Sequence, residues 1–147
     1  MKSVIYGQNE RVLAWVGARV DERTFGHDAV GIGLEEDGEL IAGVAYNMYT
    51  EASICMHVAA VPNKRWMTRD FLWRCFAYPF LQLECNRVTG LVREDNLVAQ
   101  KFDEHLGFKR EGLIRKGSTD GTNIILYGML KEECRWLGVR NVTLAQL

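Results

Sequence analysis

Three histidines, His27, His57 and His105, are scattered singly along the chain, and four cysteines, Cys55, Cys75, Cys85 and Cys134, form no CxxC pair. A metal site needs Cys or His ligands at close spacing, so none is expected. The cysteines fall mostly inside apolar runs, where a thiol behaves as a small hydrophobe, and buried, reduced side chains are expected of them. His57 is the histidine best placed for chemistry. It stands inside an apolar run, and an imidazole titrates near neutral pH, which suits a general base. It also shares an alternating face with Ser53 and Cys55, so a histidine satisfied within a sheet fits the same residues. A second grouping is basic: Lys64, Arg65 and Arg69 surround Trp66, Met67 and Thr68 at the start of a helical pattern. Guanidinium groups bind phosphate bidentately, and cations at a helix N-terminus oppose its dipole unless an anion lies there. The competing reading is a solvated helix start.

These residues must be positioned by the elements around them. Ser3 to Tyr6 reads as a short strand, and Glu10 to Val20 as a helix with Val12, Leu13, Val16 and Val20 at helical spacing. A polar connection covers Asp21 to Asp28. Ala29 to Leu34 and Leu40 to Tyr46 read as strands joined at Asp37 and Gly38, a pair suited to the positive φ angles of a tight hairpin. Ala52 to Val61 makes a third strand of an antiparallel meander, ended by Pro62, which has no N–H for a ladder. Phe71, Leu72, Cys75, Phe76, Phe80 and Leu83 predict an amphipathic helix over Thr68 to Leu83, loosened by Pro79. Arg87 to Val92 is a strand. Asn96 then caps a helix carrying Val98, Phe102 and Leu106, which stops at Gly107. Strands at Phe108 to Leu113 and Asn123 to Leu130 and a short helix near Glu132 to Leu137 follow. Strand and helix in this order predict an α/β or α+β layered domain, whose mixed, mostly antiparallel sheet of about seven strands carries helices on both faces.

The length of 147 residues is that of one domain, and 48% apolar with 25% charged residues is an ordinary globular composition. A net charge of −1 and a pI near 6.3 exclude a broad electrostatic attraction to nucleic acid or anionic lipid. The first residues lack the apolar core of a signal peptide and no apolar run reaches a membrane span, so the cytoplasm is the expected compartment.

The stretch Arg93 to Lys116, REDNLVAQKFDEHLGFKREGLIRK, resembles the C-terminal signature of Gcn5-related N-acetyltransferases, through Asn96, Ala99, Leu106, Gly107, Phe108, Glu111, Gly112 and Arg115. Tyr127 and Met129 match the family's closing strand. The likeness runs from about Glu39 to the C-terminus, and more weakly over the first helix, so residues 1–147 are expected to form one acyl-CoA N-acyltransferase-like domain. The chain also resembles small acetyltransferase-like proteins encoded by bacteriophages, which implies a bacterial host cytosol.

The resemblance implies acetyl-CoA as cosubstrate, its amide-bearing arm bonding to a splayed strand edge at Val58, Ala59 and Ala60. It implies a phosphate loop over Asn63 to Arg69, so that Lys64, Arg65, Trp66, Met67, Thr68 and Arg69 are candidate cofactor contacts. The family's loop carries glycines, and this one has none. Asn96 and Phe102 complete the candidate contacts, although N-capping accounts for Asn96 alone and core packing for Trp66 and Met67. The family's proton donor, a Tyr or a Ser in the capped helix, falls here on Phe102 or Ala99, neither of which donates a proton. His57, Glu51 or a water near Tyr46 and Tyr49 are the candidate bases. The implied reaction is acetyl transfer to a primary amine of a small molecule or protein. A homodimer is a candidate assembly, and acceptor choice is expected from Arg11 to Asp28 and Gly117 to Thr122. A non-catalytic binding or assembly protein on the same fold is the alternative.

Overall fold

A computed structural model describes residues 1–20 and 24–138; positions 21–23 of the expected polar connection and the last nine residues lie outside it. The elements run β1 (Lys2–Ile5), α1 (Asn9–Val20), β2 (Val30–Glu36), β3 (Glu39–Asn47), β4 (Ser53–Ala60), α2 (Arg69–Ala77), β5 (Arg87–Arg93), α3 (Leu97–Leu106), β6 (Lys109–Ile114) and β7 (Ile124–Leu130). They form one seven-stranded sheet in the order β1-β2-β3-β4-β5-β7-β6. Every neighbouring pair is antiparallel except β4 and β5. The expected sheet and meander are therefore present, and the β2–β3 hairpin turns on Asp37 at φ 53° and Gly38 at φ 85°.

Strand alternation sends side chains to two cores. On one face Val12 and Val16 of α1 pack with Leu40, Ala45 and Ala59. The helix lies so close that a Cβ on Gly31 would stand 2.7 Å from Val12 Cγ1, and one on Gly43 2.8 Å from Val16 Cγ2. On the other face Val44, Tyr46 and Met56 meet Phe71, Phe76 and Phe80 from the α2 region and Leu106 of α3. Three cysteines, Cys55, Cys75 and Cys85, are buried thiols, and Cys134 is half-buried.

Two segments differ from expectation. The helix predicted to reach Leu83 is α-helical only to Ala77. Because Pro79 has no N–H, the chain widens into a π turn over Tyr78–Gln82, closed by the Leu83 N–H on the Tyr78 carbonyl at 3.0 Å. The short helix expected near Glu132 to Leu137 is instead a 3₁₀ turn over Lys131–Glu133. Beyond it the chain is drawn onto the end of α3. Trp136 Nε1 donates to the Leu106 carbonyl at 2.8 Å and Arg135 donates to that of His105, satisfying acceptors that a helix terminus leaves unpaired.

Candidate functional site

The feature that could admit a ligand arises where β4 and β5 part. Their parallel ladder holds only Ser53 to Arg87, Ile54 to Val88 and Cys55 to Thr89. Beyond it β4 continues against β3, pairing Met56, His57, Val58, Ala59 and Ala60 with Tyr46, Ala45, Val44, Gly43 and Ala42, while its other edge has no strand partner among the described residues. Unpaired N–H and C=O groups therefore face a wedge along Met56–Ala60, on the side expected for Val58, Ala59 and Ala60. On its opposite edge β5 stays paired with β7 along its whole length from Arg87 to Arg93, so β5 remains held in the sheet where β4 leaves it.

The basic loop lies at the open end. Lys64 is held away from the helix start by Glu36 of β2, Nζ to Oε1 at 2.9 Å, a pairing that raises the Lys64 pKa and lowers that of Glu36. Arg65 and Arg69 are exposed and make no ion pair or side-chain hydrogen bond among the described residues. Thr68 caps α2, its Oγ1 accepting from the Phe71 N–H at 3.1 Å. Asp70 adds an acid to the first turn and pairs with Arg74 at 3.2 Å. The dipole of α2 thus already meets a hydroxyl and a carboxylate, which weakens the argument that its basic start demands an external anion. Met67 is exposed at 41%. Trp66 turns inward, its ring centroid 5.1 Å from that of Phe102 and 6.4 Å from that of Phe71, so the two aromatics bridge α2 and α3. Val58, Met56, Trp66 and Phe102 line a void of about 10 Å³ beneath that bridge.

His57, Tyr46 and Glu51 are not brought together. The His57 side chain lies on the α1 face, under the Phe25 ring at a centroid distance of 5.0 Å, and its Nε2 is 2.9 Å from Asn47 Oδ1. Because Asn47 Nδ2 donates to the Phe25 carbonyl at 3.2 Å, Oδ1 is the acceptor and Nε2 carries the hydrogen. Nδ1 keeps the lone pair of a base. Burial lowers the His57 pKa to about 4, so the ring is neutral at physiological pH. Tyr46 is wholly buried and its hydroxyl donates to the Cys75 carbonyl at 2.6 Å; burial raises its pKa well above the usual phenol range. That hydroxyl is a core group, and its burial withdraws it from the candidate bases. Glu51 is exposed in the turn before β4 at φ 70°, six residues upstream of His57.

On α3, Asn96 acts as the expected cap, its Oδ1 accepting from the Ala99 N–H at 3.1 Å, and Gly107 ends the helix at φ 113°. Phe102 faces Trp66. The α3 side chain that overhangs the parting strands is the next one, Asp103: a Cβ added to Gly90, the first β5 residue beyond the ladder, would stand 3.0 Å from Asp103 Oδ2. Burial, with the charge of Glu104 adding to it, raises the Asp103 pKa to about 7. No local spacing in the sequence singles out Asp103, Asn47 or Phe25. A glycine inside the strand pattern, Gly90, was the signal for a close approach there. Among the described residues no group of three or more His, Cys, Asp or Glu forms a metal site, and no helix is long and apolar enough to cross a membrane.

No protein-family model and no curated protein matches the chain. Solved structures do. The fold is similar to that of a probable acetyltransferase, with a TM-score of 0.62 at 21% identity over 73% of this chain and 64% of the other. The chain thus spans less than two thirds of that protein's length. It is also similar to a single-site variant of spermidine N-acetyltransferase SpeG from Vibrio cholerae, TM-score 0.72 at 15% identity over 93% and 96% of the two chains. A dodecameric structure of the Vibrio cholerae spermidine N-acetyltransferase gives 0.70 at 14% over 89% and 94%. At these identities the likeness is one of fold, shared with these acetyltransferase structures.

Proposed function

We propose that this chain is an acetyl-CoA-dependent N-acetyltransferase that acylates a primary amine of a small molecule or a protein, with a polyamine as the first acceptor to test. The observation that carries this reading is the wedge: β4 leaves β5 after Cys55 while keeping β3, so Met56–Ala60 offers an unpaired strand edge. Backbone groups of Val58, Ala59 and Ala60 suit the amide-bearing arm of coenzyme A, and Arg65 and Arg69 at the open end suit its phosphates. Lys64, given to Glu36, is the least suited of the basic residues. Thr68, Met67 and Asn96 border the path, and Trp66 with Phe102 would form its wall. When bound, the thioester supplies an activated acyl carbon. His57 is then the candidate base on the α1 face, its Nδ1 lone pair taking the proton from the amine, although burial leaves it a weaker base than a free imidazole. The likeness to a spermidine N-acetyltransferase supports an amine acceptor and its dodecamer a self-assembling chain, for which a homodimer is the simplest form. A single domain in a bacterial host cytosol completes the reading.

One observation favours the binding-protein alternative: the Trp66 and Phe102 rings are in contact, and the void they line with Met56 and Val58 is only about 10 Å³. The test is mass spectrometry of spermidine, spermine and a lysine peptide after incubation with acetyl-CoA. Acceptors gaining one acetyl group faster than in enzyme-free controls are expected. Binding without any acetylated amine would favour the alternative.

A further inference from the structure

We propose that Asp103 is the proton donor to the sulfur leaving group, in place of the hydroxyl that Phe102 and Ala99 lack. This rests on the acetyltransferase reading. The geometry begins at Gly90, the first residue of β5 past its ladder with β4. The Asp103 carboxyl fills the space a side chain there would occupy, its Oδ2 3.0 Å from the Cβ position. The same position is walled by carbon, Tyr127 Cβ at 3.6 Å and Phe108 Cε1 at 3.8 Å.

The charged and titratable groups nearby are committed elsewhere. The Tyr127 hydroxyl donates to Glu104 Oε2 at 2.7 Å, and Arg110 of β6 donates to Gln100 Oε1 at 3.2 Å. Asp103 itself has no side-chain hydrogen bond or ion pair among the described residues. Among the described residues no fully buried side-chain oxygen or nitrogen lacks a partner, so the Asp103 oxygens keep contact with accessible space. A carboxyl held near pKa 7 is half protonated at neutral pH and matched to a thiolate, whose free thiol has a pKa of about 8.5. His57 lies on the opposite face of the sheet, among the α1 contacts, while Gly90 and Asp103 lie on the α3 face. Base and acid thus flank the wedge from its two sides.

The step balances with these two groups. As the amine nitrogen bonds to the acyl carbon, the carbon–sulfur bond breaks with its electron pair on sulfur. Asp103 gives its proton to that sulfur, and His57 takes the proton the amine loses. Solvent then reprotonates Asp103 and deprotonates His57, leaving amide and thiol.

The test compares wild type with Asp103→Asn by calorimetry, NMR and kinetics. In the acetyl-CoA-free protein the Asp103 carboxyl carbon is expected to titrate near 7 and to shift when coenzyme A is added. Asp103→Asn should bind acetyl-CoA as wild type does, yet transfer acetyl on the order of 100-fold more slowly and lose the decline in rate above pH 7. An aryl thioester, whose leaving thiol needs no proton, should erase most of that deficit. Equal losses with both thioesters, or a carboxyl signal indifferent to bound coenzyme A, would overturn the role of Asp103 while leaving the acetyltransferase intact. Absence of acetyl-CoA binding by wild type would remove both.

Discussion

Two half-buried titratable side chains act on stability in opposite directions. His57 is folded with its pKa lowered to about 4, so the unfolded chain takes up its proton first as pH falls. Its contribution is complete above pH ~6.5 and lost between there and pH ~4, with a slope of at most ~1.4 kcal/mol per pH unit. Asp103 is the reverse: its folded pKa is raised to about 7, so the stability it contributes is complete below pH ~4 and lost as pH rises to ~7. In wild type the two terms oppose each other from pH 4 to 6.5. Urea midpoints should therefore rise with pH in Asp103→Asn and fall with pH in His57→Gln. Parallel profiles for both variants would show that neither group is desolvated as described. The identity of His57 as a sheet residue was legible in its alternation with Ser53 and Cys55. Its partners Phe25 and Asn47 were not, because they arrive from other segments and no local spacing encodes them.

At the scale of the elements, α1 sits where it does because β2 and β3 present glycine to it. Gly31→Ala would put a Cβ 2.7 Å from Val12 Cγ1, so a destabilisation of about 1–3 kcal/mol is expected, read as a lowered urea midpoint at unchanged slope. Between α2 and α3 the Trp66–Phe102 contact closes the wall proposed for the cofactor's path. If it must open first, Trp66→Ala should tighten coenzyme A binding by roughly tenfold, since affinity is reduced by the fraction of closed molecules. Unchanged affinity in that variant would mean the bridge lies clear of the path. Periodicity located α1, α2 and α3 and both caps of α3. It overran at Pro79, where a helical stripe continues through residues whose backbone cannot, and it supplied a closing helix where Trp136 and Arg135 instead serve the carbonyls of α3.

For the whole molecule, the sheet order and the one parallel pair follow from a meander, a crossover helix and a strand, and these were readable from turn residues and hydrophobic alternation. The wedge itself was expected only through the family motif. Strand parting is a matter of register between segments more than thirty residues apart, Cys55 and Thr89, and nothing at either position announces it. The glycine-free loop is likewise legible as sequence, but that Lys64 serves Glu36 while Arg65 and Arg69 stay open required the fold. If those two arginines meet phosphate, Arg65→Glu should weaken coenzyme A by ~1.5–3 kcal/mol and leave a phosphate-free pantetheine analogue unaffected, as measured by competition. The most direct measurement of the central claim is a calorimetric titration of the intact chain with acetyl-CoA, alongside its melting temperature. Saturable one-site binding is predicted, with a rise in melting temperature equivalent to ~2.7 kcal/mol at 100 times the dissociation constant. Neither heat nor any thermal shift at millimolar acetyl-CoA would contradict it.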